Sequence, residues 1–108
     1  MQRITVCELS EWRAAGRAFS LIDVRREQAL HSDGGQIPGA VWQRPEDLLT
    51  WKDGVPRDRP VVFVCAHGHE LSQGAAATLH AMGLHALYLA DGFAGWRAAG
   101  QPVQALPG

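Results

Sequence analysis

The chain has 108 residues, 46% of them apolar, and a net charge of −1. That length makes one domain, residues 1–108, able to bury roughly 60–70% of its unfolded surface without metals or disulfides. The charge balance leaves no basic footprint for nucleic acid, and no apolar run approaches the ~20 residues that cross a membrane.

The opening Met1-Gln2-Arg3-Ile4 leads straight into patterned sequence. It does not read as a secretory leader, so a cytoplasmic location is expected. Thr5-Val6-Cys7-Glu8 fits a helix capping box, with the Thr5 hydroxyl on the Glu8 amide and Glu8 reaching back. Ile4 and Leu9 stand at the two positions of a hydrophobic staple. The helix carries Leu9 and Trp12 inward and stops at Gly16. Cys7 lies about 200° around from Leu9 at ~100° per residue, with no loop around it, and reads as incidental. Two cysteines far apart, without an export signal, make a weak case for a disulfide.

Residues 19–23 read as a buried strand with Asp23-Val24-Arg25 at its carboxyl end. A polar stretch, residues 31–36, leads through the turn Ile37-Pro38-Gly39-Ala40 to a short strand around Val41. Pro45 opens a helix of one to two turns through Trp51, broken by Asp53-Gly54 and Pro56. After the strand ending at Cys65, a helical face of Leu71, Ala75, Leu79 and Met82 stops at Gly83. Residues 85–89 form the last strand, and Asp91-Gly92 turns into a helix bearing Phe93 and Trp96, closed by Gly100 and Pro102. Residues 104–108 are expected to fray. Strands alternating with helices over this length argue for a parallel α/β sheet, helices on both faces, and a site beyond the strands' carboxyl ends.

The run Val61-Val62-Phe63-Val64-Cys65 carries the chemistry. A thiol at the end of a buried strand is followed by the loop Ala66-His67-Gly68-His69-Glu70-Leu71-Ser72 and an alanine-rich helix. Loop amides and the helix start can converge on the sulfur and favour negative charge there. The thiolate is the nucleophile, so Cys65 is the candidate catalytic residue.

His67 and His69, beside Cys65 and Glu70, raise the question of a metal site. Closed zinc sites draw ligand pairs from separated segments, and only the scattered His31, His80 and His85 remain, so no metal is assigned. The two imidazoles read instead as pocket residues that donate to an anion, or as solvated side chains. Arg25 stands where a strand end adjoins the Cys65 loop, either contacting substrate or pairing with a carboxylate such as Glu27. Asp23 reads as structural support, accepting backbone hydrogen bonds. Arg44 and Trp42 are candidates for the rim. Ser72 either caps the helix or touches the sulfur, with capping the preferred reading.

Several of these pieces together resemble a known family, the single-domain rhodaneses. They are Leu21-Ile22-Asp23-Val24-Arg25, Gly35-Gln36-Ile37-Pro38-Gly39-Ala40, the Cys65 loop, and Asp91-Gly92-Phe93-Ala94-Gly95-Trp96 with Gly100-Gln101-Pro102 behind it. The resemblance implies a rhodanese-like α/β fold with a central five-stranded parallel sheet. It implies a sulfurtransferase in which Cys65 takes a sulfane sulfur as a persulfide and passes it to a thiol or cyanide. The donor would be a small sulfur-donor anion or a low-molecular-weight persulfide, and the acceptor a small thiol or a protein thiol. No metal or organic cofactor is implied, and neither nucleic acid nor membrane is an expected partner.

The chain also departs from the family's pattern. Members active on thiosulfate commonly place arginines directly after the cysteine and late in the loop. Here those places hold Ala66, Glu70 and Leu71, so thiosulfate is expected to be a weak donor. The loop is one residue longer than usual. In this it resembles loops of the cell-cycle phosphatases and arsenate reductases, which bind tetrahedral oxyanions with a loop arginine that is absent here. An oxyanion-handling enzyme is therefore the alternative expectation, and a non-catalytic regulatory module a third.

Overall fold

The β-branched and aromatic run around Val61 is too apolar for either of its faces to meet water, and it becomes the middle of the sheet. The structure, a computed structural model, describes residues 2–106. Its strands are β1 (Gln2–Ile4), β2 (Ser20–Asp23), β3 (Val41–Trp42), β4 (Val61–Val64) and β5 (Ala86–Leu89). They pair in the order β1-β5-β4-β2-β3, all parallel. All four residues of β4 are buried, as expected for a strand covered on both faces.

Alternation along β4 divides the core in two. Val62 and Val64 face a cluster with Leu9, Leu21, Leu89, Phe93 and Trp96. Val61 and Phe63 face another with Ala75, Ala76 and Leu79, and Cys65 continues that alternation onto the same face. The helices are α1 (Val6–Ala14), α2 (Glu27–Asp33), α3 (Leu48–Trp51), α4 (Glu70–Ala81) and α5 (Gly92–Ala98), with short 3-10 turns on either side of α3. Burying each large apolar side chain contributes roughly 1.5–3 kcal/mol, so β4 anchors the segment that bears the thiol.

The sequence places most of these elements, including the capping box at Thr5 and Glu8, which is fully formed. Two were missed and one expectation is corrected. β1 has a single buried residue, Ile4, and exists through its register with Leu87, Tyr88 and Leu89. α2 buries only Leu30, so its polar run read as a connection. Gln104 does not fray: it forms an antiparallel bridge with Gln36, with reciprocal backbone bonds of 2.9 and 3.0 Å. The expected fraying of Pro107 and Gly108 lies outside the described residues. No helix among the described residues is long and apolar enough to cross a membrane.

Candidate active site

Because β4 is central, its carboxyl end is flanked by the ends of β2 and β5, and Cys65 is the first residue beyond it. The loop from Cys65 to His69 is held against the start of α5. Phe93 N donates to Cys65 O at 2.8 Å and Ala94 N to Ala66 O at 3.0 Å. That approach requires glycine on both sides. Gly92 has φ +60°, and a Cβ there would press on Cys65 O and stand 2.6 Å from Gly68 N and 2.7 Å from His67 N. Gly68, at φ +77°, would bring a Cβ within 2.7 Å of Leu89 O. Gln73 Nε2 donates to Gly68 O at 2.8 Å and fastens the loop from the α4 side.

Among the described residues, the backbone N–H groups of 66–72 donate to no protein acceptor. They are backbone donors left without a partner in the chain. α4 begins at Glu70 with no side-chain cap on its first turn. Its unpaired amides and the positive end of its dipole therefore add to the same field. Cys65 is 5% exposed, and its Sγ lies 3.1 Å from Ser72 Oγ. Ser72 Oγ is also 3.4 Å from His69 O. One hydroxyl proton serves both contacts: it goes to His69 O when the sulfur carries its own proton, and turns to the sulfur when it does not. Ser72 is the third residue of α4, past the cap position, so contact with the sulfur replaces the expected cap.

The other predicted site residues divide into those at the loop mouth and those turned away. His67, His69 and Glu70 are exposed, and the two imidazole rings are 6.3 Å apart. Among the described residues, no three His, Cys, Asp or Glu side chains gather in a metal-binding group. Leu71 is half-buried against the α4 core face, in a hollow of about 140 Å³ that it shares with Pro45, Leu48 and Trp51. It therefore reads as packing rather than as a substrate contact.

For Arg25 the structure takes the carboxylate-pairing alternative. Its side chain is 0% exposed, with Nη2 on Asp23 Oδ2 at 2.6 Å, Nη1 on Asp33 Oδ2 at 3.3 Å, and Nη2 on Gly35 O at 2.7 Å. The guanidinium stacks 4.1 Å from the Phe93 ring centre. Arg25 ties β2 to α2 and α5 and does not reach the loop mouth. Its carboxylate partners are Asp23 and Asp33, not Glu27. Asp23 Oδ1 also accepts Arg25 N at 3.0 Å. Arg44 pairs with Glu46 and Asp47 in solvent, while Trp42 Nε1 donates to Arg25 O at 2.8 Å. Cys7 is exposed, with Sγ 3.6 Å from Glu11 Oε1.

A model of the rhodanese-like domain matches residues 5–99. The thiosulfate sulfurtransferase GlpE of Pseudomonas syringae pv. syringae is 38% identical over 78 residues, 71% of this chain and 71% of GlpE. The probable adenylyltransferase/sulfurtransferase MoeZ of Mycobacterium tuberculosis is 32% identical over 105 residues, 92% of this chain. The chain spans only 25% of the length of MoeZ. Among solved structures, a rhodanese-related protein from Thermoplasma volcanium superposes with a TM-score of 0.84 at 26% identity, over 96% of this chain and 98% of that one. A Rhodopseudomonas palustris protein of unknown function, named a possible tyrosine phosphatase, gives 0.84 at 29% identity over 96% and 85%. A match that runs from the α1 cap through the end of α5 takes in every element that shapes the cysteine loop, and the chain belongs to the rhodanese-like domain family.

Proposed function

We propose that this protein is a persulfide-forming sulfurtransferase with Cys65 as the sulfur carrier. The observation that carries the reading is the setting of the Cys65 sulfur, 3.1 Å from the Ser72 hydroxyl and beside loop amides that donate to no protein acceptor. The relatives named as sulfurtransferases support the same class of reaction.

In the first half-reaction the Cys65 thiolate attacks the outer sulfur of a donor. With thiosulfate, the donor's S–S bond breaks and sulfite leaves with the electron pair. The new persulfide keeps a negative charge on its terminal sulfur, where the loop amides and the Ser72 hydroxyl stabilise it. In the second half-reaction an acceptor thiolate or cyanide attacks that terminal sulfur. The Cys65–sulfur bond breaks, and Cys65 is released as thiolate. No residue has to change oxidation state permanently, because each transfer is a displacement at sulfur.

The test is intact mass before and after incubation with a sulfur donor. One added sulfur that a reductant removes is expected for the native protein and for Cys7→Ser, and none for Cys65→Ser. Loading lost in Cys7→Ser and kept in Cys65→Ser would overturn the assignment. The unpartnered amides also favour a second reading, in which the loop holds a tetrahedral oxyanion above the sulfur. Under that reading the mass stays unchanged, while arsenate or phosphate raises the thermal midpoint of the Cys65→Ser protein.

A further inference from the structure

Half of one sheet edge has no strand beside it, at the end away from Cys65. β2 pairs with β4 along its whole length, whereas β3 joins it only opposite Ile22 and Asp23, through Val41 and Trp42. The main-chain groups before that point have fixed directions. Ser20 N donates to Pro60 O at 2.8 Å, towards β4. In a trans peptide the carbonyl points opposite to the N–H, so Phe19 C=O points to the β3 side. Asp23 obeys the same rule: Val24 N donates to Val64 O at 2.7 Å, and Asp23 O accepts Gln43 N at 2.9 Å on the other side. Leu21 is two residues before Asp23, so its N–H points to the β3 side as well. The chain that precedes β3 has turned out of the sheet there, with Ala40 N on Ile37 O at 3.0 Å. Among the described residues, Leu21 N donates to no acceptor and Phe19 O accepts from no donor, although Leu21 is only 6% exposed.

A cavity of about 510 Å³ lies against this edge. Phe19, Ser20 and Leu21 line it, with Val41 from β3 and with Trp51 and Val55 from α3 and the segment after it. Val41 is 59% exposed, so the cavity is open to solvent. Its size and its mixture of aromatic, apolar and few polar groups match small-molecule sites. Among the described residues no charged side chain lines it, so it holds no partner for a phosphate or a carboxylate. Phe19 C=O and Leu21 N–H form one acceptor–donor pair, and β3 stops that pair from being extended along β2. The pair therefore matches a single flat group better than a strand running past it. We infer that this cavity binds a small, neutral, planar ligand with a cis-amide edge, such as a lactam, an imide or an uncharged nucleobase. The ligand N–H donates to Phe19 O, and its carbonyl or ring nitrogen accepts from Leu21 N. The site needs neither the Cys65 sulfur nor its loop, so the inference is independent of the persulfide reading.

The test titrates three probes into isotope-labelled native protein and follows the amide NMR signals of Leu21, Val41 and Val55. Oxindole offers the flat cis-amide edge. N-methyloxindole keeps the shape and the carbonyl but has no donor. N-acetylvaline N-methylamide offers a donor and an acceptor from one extended residue. Saturable shifts are expected with oxindole, and N-methyloxindole should bind about three- to tenfold more weakly, for the loss of one hydrogen bond. Equal affinity for the two, or no shifts up to the solubility limit of oxindole, would overturn the site. Tighter binding of the valine amide than of oxindole would assign the edge to an added strand and overturn the ligand class.

Ser20→Leu locates the probe. Ser20 shares the face of Ile22, two residues on, which is the face that Val55 and Trp51 cover. The longer side chain fills the cavity there and should abolish the oxindole shifts while the unfolding midpoint stays near the native one. Thr50→Trp, at an exposed position of α3 in the same lining, carries the same expectation should Ser20→Leu not fold. Oxindole shifts that persist in a folded variant would place the probe elsewhere and overturn the assignment.

Discussion

Both cysteines stand beside a helix N-terminus, and the two termini are built in opposite ways. At α1 the Thr5 hydroxyl takes the Glu8 amide and the Glu8 carboxylate takes the Thr5 amide, each at 3.0 Å. Cys7 sits outside that closed ring, exposed beside Glu11. At α4 no side chain caps the first turn, and its third residue, Ser72, turns to a buried sulfur instead. A side-chain cap stabilises a helix by about 1 kcal/mol, and α4 does without one. Donors already bonded within the chain cannot hold a substrate anion. On the proposed function, the comparison teaches that the Cys65 site would depend on withholding local satisfaction, not only on a helix dipole, which both termini possess.

The largest expected effect comes from closing the gap that lets the Cys65 loop approach α5. Gly92→Ala must adopt φ +60° and press a methyl group onto Cys65 O, Gly68 N and His67 N, all backbone atoms that cannot rotate away. A destabilisation of about 3 kcal/mol is expected, with loss of sulfur loading in the fraction that folds. Gly16→Ala, after α1, is the control. It has φ +66° but no atom within 4 Å, so only backbone strain of about 1 kcal/mol applies. Equal denaturant midpoints for the two variants would show that loop packing on α5 does not govern the site.

Next in size is the charge at the loop mouth. Glu70 is the exposed first residue of α4, and the loop before it, residues 66–69, carries no lysine or arginine. A charge-assisted hydrogen bond contributes roughly 1.5–3 kcal/mol, so Glu70→Arg should raise kcat/KM with thiosulfate by about one order of magnitude or more. The gain with an uncharged persulfide donor should be much smaller. Equal gains with both donors would show that charge does not limit the native protein.

How much of this was legible in the sequence follows from the range of each interaction. The α1 cap lies within four consecutive residues, and β4 announces itself by composition, so both were readable. The Ser72 contact was half-readable. A serine seven residues beyond the cysteine could cap or touch, and what decides is that α4 starts at Glu70, two residues before it. Arg25 pairs most closely with Asp23, two residues before it, and only its second carboxylate, Asp33, in a helix too polar to show a face, could not be read locally.

Ser72→Ala separates contact with the sulfur from helix stability. The hydroxyl is fully buried and its neighbours are the Cys65 sulfur and His69 O. Losing one hydrogen bond of about 0.5–1.5 kcal/mol predicts a roughly three- to tenfold slower loading of Cys65. Iodoacetamide at limiting concentration reads the same effect in the Cys65 alkylation rate, with Cys7 as the internal reference. If Ser72→Ala lowers the unfolding midpoint but leaves the Cys65-to-Cys7 ratio unchanged, Ser72 is a structural residue and the open-terminus account loses its hydroxyl.

The smallest effect lies at the closed terminus. The Thr5 backbone amide, and after it the Thr5 hydroxyl, hold the Glu8 carboxyl below the ordinary glutamate range, with Arg3 adding in the same direction. A carboxyl whose value is depressed by folding stabilises the native state when both states are ionised. That contribution is present above the unfolded value and is lost as pH falls through the lower folded one. Native protein and Glu8→Ala should therefore differ in denaturant midpoint at neutral pH and converge on the acid side of the glutamate range. Because Glu8 is exposed, the difference is small and is read only as this convergence. Loading of Cys65 should be the same in both proteins at neutral pH, since the α1 cap shares no donor with the Cys65 loop. A Glu8→Ala protein that loads sulfur more slowly while keeping its fold would mean that the two termini are coupled. The contrast between a closed and an open helix start would then no longer be local.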